Sequence, residues 1–328
     1  MMHSIPCLIC ESTSTRSIET QDSMDLLKLW HELGRAVTDD DLIRCGCTGP
    51  VHRYRCDDCG FSYFDPAQTG DGGFYEHLSI DDSAYYNDQR PEFSHAIRRA
   101  QAKGYRKVLD IGCGSGNFLN HARKAGLDPS GMELNEKAAA AAAAKGHPIF
   151  PGILTADFAE EQAGRFDMVT LFQVVEHLAD PVGILRLARH LVRPGGTLMF
   201  SVPNSRGLYQ FFPLDPHQWP PHHISRWRTE DFPRVAQRLG MILSETSGDR
   251  LYGKSITDFH RRNNLARRAL GLKTHSAADL LIELGGLAYR GLGLKNVTKN
   301  LGLSIHCCLQ QPDTEAAGYR EPHAGKTA

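Results

Sequence analysis

The sequence predicts an α/β protein, a mostly parallel sheet covered by helices on both faces, preceded by a small cysteine-rich module. Three observations predict it. From Lys107 onward, apolar runs of strand length alternate with helical patterns, as a parallel sheet with crossover helices requires. One run, Val108–Ile111, leads through Asp110 into glycines at 112, 114 and 116, and an apolar helix face then starts at Phe118-Leu119. Six of the nine cysteines fall within residues 1–64.

Taken in order, the elements are as follows. Residues 1–64 form the cysteine module, with little regular apolar pattern beyond a helical stretch near Met24–Leu33. Residues 65–105, rich in Tyr, Asp and Gly, form a connector that ends in a helix around Glu92–Lys103. Val108–Ile111 is the first strand of the large sheet and Gly116–Lys124 its first helix. Pro129–Glu133 is the second strand. The alanine run 138–144 is a strong helix former stopped by Gly146, and Pro148–Phe150 is a short third strand. Phe166–Phe172 is the fourth, followed by a helix at Val182–Leu191 closed by Arg193-Pro-Gly-Gly196. Thr197–Val202 is the fifth strand, Asp231–Leu239 a helix, Ile242–Thr246 the sixth strand, and Ser304–Leu309 the seventh. The sheet domain thus runs over 106–312, with an insert at 250–300, and 313–328 reads as a disordered tail.

A strand, a turn without Cβ atoms and a helix start let a ligand lie against main-chain N–H groups. A dinucleotide fingerprint places its third glycine at 117, where this chain has Asn117. The Gly-x-Gly-x-Gly form with Asp110 before it resembles motif I of the class I S-adenosylmethionine (SAM) methyltransferases. Further matches follow in order: Glu133 ending the second strand, Phe166-Asp167 opening the fourth, and Pro194-Gly-Gly196 before the fifth. The resemblance implies a Rossmann-like seven-stranded sheet with SAM as cofactor. Asp110 would hold its amino group and Glu133 its ribose hydroxyls. Gly112, Gly114, Gly116, Asn117 and Phe118 would line its carboxylate and sulfonium arm. Leu134, Ile153 and Gln173 complete the cofactor set. Many members carry an acid after the third strand for the adenine amino group. Here Ile153 stands in that stretch, and Asp157 is the alternative.

The acceptor should meet the methyl group at the carboxyl edge of the fourth strand, where Gln173-Val-Val-Glu-His-Leu178 lies. Enzymes acting on exocyclic amines of bases often carry Asn/Asp-Pro-Pro-aromatic there, and this chain does not. The segment is similar to the Glu-Val-Val-Glu-His-Val of ubiquinone-pathway O-methyltransferases, some of which hold a divalent cation with the two glutamates and the histidine. Gln173 replaces the first of these with a neutral, weaker ligand. Candidate bases are His177, then His223, then His222, the last two in Pro220-Pro-His-His-Ile-Ser225. In an extended segment, neighbouring side chains point to opposite faces, so only one of His222 and His223 is expected to enter the cleft.

Cys7-x-x-Cys10 and Cys56-x-x-Cys59 are two knuckles with the spacing of a four-thiolate zinc site, and Cys45 and Cys47 are rival ligands. The module carries ten acids against six bases, the opposite sign to a nucleic-acid docking surface. A lid or homodimerisation role fits it better. The arrangement resembles a bacterial family of zinc-ribbon SAM methyltransferases, through the Cys-x-x-Cys-Gly-aromatic motif, Tyr85-Tyr86, Glu-His-Leu-x-Asp-Pro (176–181) and Pro-Pro-His-His-Ile-Ser (220–225). The expected function is methyl transfer to a small molecule, glycan or lipid, at oxygen. The alternatives are an RNA methyltransferase docking through the ribbon, or a non-catalytic scaffold.

Formal net charge is −1, so the whole chain offers no electrostatic case for nucleic acid. No apolar stretch of membrane-spanning length and no signal-peptide pattern occurs, which predicts a soluble cytoplasmic protein. In the insert, Arg261, Arg262, Arg267 and Arg268 precede an apolar helix at 277–294. A solvated helix face is the expectation, with a basic cap for an anionic substrate or peripheral membrane contact as the sharper reading.

Overall fold

The computed structural model of the protein describes residues 5–65, 68–78, 90–249, 253–274, 276 and 302–313. The Tyr85-Tyr86 pair, the apolar helix expected at 277–294 and the tail lie outside them.

The large sheet contains β4 (Lys107–Ile111), β5 (Asp128–Glu133), β6 (Ile149–Pro151), β7 (Phe166–Phe172), β8 (Val192–Pro203), β10 (Ile242–Gly248) and β11 (Ser304–Gln310), in the order β10-β11-β8-β7-β4-β5-β6. The contacts among β4 to β8 are parallel, and β11 runs antiparallel to both β8 and β10. Chain order reverses direction at β4, so the carboxyl end of β4 is where a crevice opens. Strand limits match the sequence expectation to within a few residues, except for β8. Its pairing with β7 jumps from Phe166↔Val192 to Met168↔Thr197, so the Arg193–Gly196 segment enters the strand as a bulge rather than ending a helix.

Helices follow from patterning and caps. Asn135 caps α6 (Glu136–Ala144) by accepting the N–H of Ala138, and the small faces of Ala138, Ala139 and Ala142 let this helix lie close on the sheet. Gly116 caps α5 (Asn117–Lys124) in a left-handed conformation, so the helix starts one residue after the expected Gly116. Asp180 caps α8 (Pro181–Leu191), with proline in the first turn.

The module holds more structure than its sequence shows. Beyond α1 (Ser23–Glu32) and α2 (Asp39–Arg44), it has β1 (Thr15–Asp22), β2 (Pro50–Cys56) and β3 (Ser62–Asp65) in a second sheet of order β1-β2-β3-β9. The fourth strand, β9 (Ser225–Arg226), comes from the large domain and pairs with β3 through Tyr63↔Ser225 and Ser62↔Arg226. Cys7, Ile9, Cys56, Phe61 and Tyr63 share one apolar core with Trp227, Phe200 and Phe232. The module is thus built into the large-sheet domain rather than tethered to it. Helix α10 (Gly253–Ala269) packs Ala266 beside Leu26, Leu29 and Trp219. Its Arg262 turns toward Asp215 at 3.7 Å, while Arg261 and Arg268 face solvent, so the four arginines do not form one basic face. Among the described residues, no helix is long and apolar enough to cross a membrane.

Candidate active site and cysteine centre

Asp110, in β4, is buried and accepts a hydrogen bond from Thr170 Oγ1 at 2.8 Å. Burial pushes its carboxyl up to about 8, against the pull of Thr170. A cationic group beside it would restore the charged form, which is what an ammonium-binding acid needs. After it, Gly112, Gly114 and Gly116 all have positive φ (76°, 54° and 83°). A Cβ at Gly112 would lie 2.5 Å from Val174 Cγ2, and one at Gly116 would lie 3.1 Å from Ala142 Cβ. These two glycines therefore let the turn wedge between β7 and α6, in addition to freeing its main chain. Asn117 opens α5 beside this turn. The Phe118 ring turns away into the core, packed on Phe172 and Phe93 with centroids 4.9 and 5.4 Å apart. Only the main chain of Phe118 remains for a ligand, because the first turn of α5 points that position at the sheet.

Glu133, at the end of β5, is fixed from both sides. Its Oε2 accepts the N–H of Gly114 and its Oε1 that of Asn135, each at 2.8 Å. The Glu133 carbonyl also accepts the N–H of Gly152 at 2.8 Å, which ties the ends of β5 and β6 together. Beside that tie, Leu134 and Ile153 are 68% and 63% exposed, unusual for large apolar side chains. Asp157 is exposed in the first turn of α7 (Ala156–Glu161). A buried acid, a carboxylate preset by loop amides and two bare apolar side chains fit SAM's ammonium, ribose and adenine respectively.

Past β7, Gln173 takes a positive φ of 56°, rare for a residue with a side chain. Its amide donates to Ser201 Oγ at 3.1 Å and Ser304 Oγ at 2.9 Å, so it is anchored to β8 and β11. The short 3₁₀ turn Val175–His177 then presents Glu176 and His177. His177 Nδ1 donates to the carbonyl of His222 at 2.5 Å, with Tyr75 Oη 3.1 Å from the same nitrogen. That bond leaves Nε2 as the lone-pair nitrogen, 3.8 Å from Glu176 Oε1. Burial pushes His177 down to about 4 and Glu176 up to about 8, so both favour their neutral forms.

His222 and His223 both face His177, contrary to the expectation from an extended segment. Pro221 and His222 form a turn in which both histidine N–H groups bond to the Trp219 carbonyl at 3.1 Å. The two rings stack 4.4 Å apart, and their centroids lie 4.7 and 4.9 Å from that of His177. Burial holds both well below the usual histidine range. Sequence reasoning missed the wall of this pocket. It includes Trp30, Phe74 and Tyr75, together with His217, whose Nδ1 lies 2.8 Å from Asp215 Oδ1. It also missed buried Glu92 on α4 (Pro91–Ala102), which accepts from Ser201 Oγ at 3.4 Å. None of these follows a spacing rule, since they arrive from separate elements. A recess of about 540 Å³ lined by Arg106, Lys107 and Arg123 lies at the amino ends of β4 and β5, away from this chemistry.

The four cysteines converge. Cys7 and Cys59 Sγ are 3.5 Å apart, and Cys10 and Cys56 Sγ 3.6 Å. All four sulfurs lie within 4.8 Å of one another, without a disulfide. Tetrahedral zinc at its usual bond length separates sulfurs by about 3.8 Å. Both knuckles share one geometry, because Glu11 and Gly60, each just after a second cysteine, have φ of 61° and 75°. Cys45 and Cys47 are buried elsewhere, beside Trp30, Leu42 and Phe74, and are not part of the cluster.

Residues 84–247, half of the chain, match the sequence profile of the family described as "Methyltransferase domain". A ubiquinone biosynthesis O-methyltransferase of Bordetella avium is 36% identical over 104 residues, which is 30% of this chain and 43% of that protein. One from Pseudomonas aeruginosa is 30% identical over 159 residues, 42% of this chain and 68% of that protein. The chain thus spans between about two fifths and two thirds of these relatives' length. A SAM-dependent methyltransferase from Archaeoglobus fulgidus superposes with TM-score 0.46 at 18% identity, over 67% of this chain and 94% of that one. The chain belongs to the methyltransferase-domain family.

Proposed function

We propose that the protein methylates an oxygen of a small molecule, glycan or lipid, bound against the histidine pocket. The observation that carries this reading is the fixed tautomer of His177, with Nδ1–H spent on the His222 carbonyl and Nε2 left to take a hydroxyl proton. SAM supplies an electrophilic methyl group with its own leaving group. The chain's residues bind and orient. Asp110 takes the ammonium, Glu133 the ribose hydroxyls, and Leu134 with Ile153 the adenine. The main chain of Gly112 to Phe118 takes the carboxylate, and Gln173 closes the cleft. The relatives named as O-methyltransferases favour oxygen, as does the lack of a Pro-Pro-aromatic signature after β7. Cys7, Cys10, Cys56 and Cys59 hold a structural zinc ion in this reading.

RNA is the weaker alternative, given the acidic module, and a non-catalytic scaffold is weaker still. The test is a screen with methyl-labelled SAM across phenols, sugars and lipids. His177→Gln should cut turnover by about 10²–10⁴-fold while leaving S-adenosylhomocysteine affinity unchanged in calorimetry. Transfer only to nitrogen acceptors or RNA would refute the oxygen reading, and unchanged turnover in His177→Gln would refute the base.

A further inference from the structure

We propose that His177, His222 and His223 form a three-imidazole site for a divalent transition-metal ion on the acceptor side of the cleft. This deepens, and rests on, the reading of that pocket as the place where the acceptor binds.

The geometry is that of a ligand set. One nitrogen from each of the three rings lies within 4.8 Å of the other two. An ion with metal–nitrogen bonds near 2.0–2.1 Å holds nitrogens about 3.4 Å apart, so binding turns the rings inward, the stacked pair His222 and His223 most of all. The Nδ1 bond of His177 to the His222 carbonyl fixes one ligand's tautomer through its other nitrogen, as metal-binding histidines commonly require. It also couples two of the three ligands to each other.

The surroundings supply charge and dryness. Glu176 is 1% exposed, and neither of its carboxyl oxygens has a hydrogen-bond partner among the described residues. One of those oxygens is 3.8 Å from His177 Nε2. A buried carboxyl left without a donor is costly unless a cation or a proton satisfies it. Arg35 places positive potential at His222 and Arg226 at His223, against which stands the Glu176 carboxyl, 3.8 Å from His177. Trp30, Phe74 and Tyr75 wall the His222 side, with ring centroids 6.1, 6.4 and 5.8 Å away.

This set differs from one that runs through position 173. The Gln173 amide is held by Ser201 and Ser304, out of the cluster. Two histidines from the turn before β9 take its place. Three imidazoles favour zinc, iron or cobalt over magnesium or calcium, and leave a coordination position for an acceptor oxygen. In the ion-bound form His177 Nε2 is a ligand, and its role as base belongs to the ion-free form alone.

The test is a cobalt(II) titration of the full-length chain after dialysis against chelator. The expected result is visible ligand-field absorption without sulfur charge transfer, alongside the charge-transfer bands of any thiolate-bound cobalt. Paramagnetically shifted imidazole N–H resonances should accompany it in the unmutated protein. His223→Gln and the double variant His222→Gln/His223→Gln should weaken this second binding at least 100-fold while keeping S-adenosylhomocysteine affinity, which reports folding. Cobalt bound only with sulfur charge transfer, absence of shifted imidazole signals, or undiminished binding in folded variants would overturn the proposal. A labelled-methyl assay run in parallel separates the outcomes. Transfer without nitrogen-bound cobalt leaves the imidazole-base reading standing, and cobalt binding without transfer to oxygen removes the acceptor reading.

Discussion

Ile224 donates its main-chain N–H to the carbonyl of Glu176 at 2.8 Å, and its own carbonyl accepts the N–H of Phe64 at 3.0 Å. One residue thus joins the turn bearing Glu176 and His177 to the edge of the cysteine module. Gly70 adds a second tie, donating to the Pro221 carbonyl at 2.8 Å. The module therefore positions the histidine pocket, and among the described residues no hydrogen bond joins it to Gly112–Gly116. Cys56→Ser should lower turnover by on the order of 10²-fold, the scale of a small misplacement of reacting groups. S-adenosylhomocysteine affinity should change less than about twofold, within the usual additivity error for distant sites. Calorimetry and a labelled-methyl assay on the same preparation check this, and a fall in both together would mean that the module supports the cofactor side too.

Gly112 tests the packing of the glycine turn. Alanine there meets a left-handed backbone, which costs about 1–2 kcal/mol, and crowding against Val174 adds about 1–3 kcal/mol. Gly126 has a similar φ of 82° with nothing within 4 Å of an added Cβ, so Gly126→Ala carries the backbone cost alone. Gly112→Ala should be the less stable of the two in urea, and Val174→Ala should recover part of the difference in the Gly112→Ala background. Equal stabilities would show that Val174 yields freely.

Asp41 gives the module an acid-sensitive joint. Burial works to raise its pKa. The N–H and hydroxyl of Thr38, with His77 and Arg44, outweigh burial and bring it down to about 2. Because the folded value lies below the unfolded one, near 3.9, the stabilisation is complete above about pH 4 and is lost as pH falls toward about 2. Asp41→Asn should be destabilised relative to the native chain at pH 6, and the gap should narrow between pH 4 and pH 2. Urea unfolding across that range checks it, and a gap that does not change with pH would rule the linkage out.

The parallel sheet was legible because a strand buried on both faces is written as an unbroken apolar run, as in Phe166–Phe172. The glycine turn was legible because steric rules leave few sequences for it. The module's strands were not. Thr15–Asp22 and Pro50–Cys56 are largely polar, and Arg53 pairs with Glu19 across them, so no face reads as a core face. Strand β9 has two residues and pairs with a strand some 160 positions earlier, a contact that local patterning does not encode. The same limit hid the shared direction of His222 and His223, because the turn that aligns them is set by the Trp219 carbonyl rather than by periodicity. The direction of the Phe118 ring, buried against Phe93 and Phe172, was equally unreadable, since adjacency to a binding motif says nothing about which way a helical side chain points.

With Asp110 as the proposed ammonium site, cofactor binding becomes a proton-linked event. The Asp110 carboxyl sits near 8 because burial disfavours the charge, and Glu133 adds to the rise. At pH 7 it is therefore mostly protonated, and an ammonium drawn against it must displace that proton. Binding of S-adenosylhomocysteine at pH 7 should release close to one proton, with affinity rising as pH climbs toward 8. At higher pH, once the ligand's own α-amino group loses its proton, the gain reverses. Calorimetry in two buffers of different ionisation enthalpy reads the proton count directly. Asp110→Asn should abolish the release and weaken binding roughly 10- to 100-fold, the scale of one charged hydrogen bond at about 1.5–3 kcal/mol. Proton release that persists in Asp110→Asn would move the linkage to another group, and Glu133, fixed by Gly114 and Asn135, would be the next to replace.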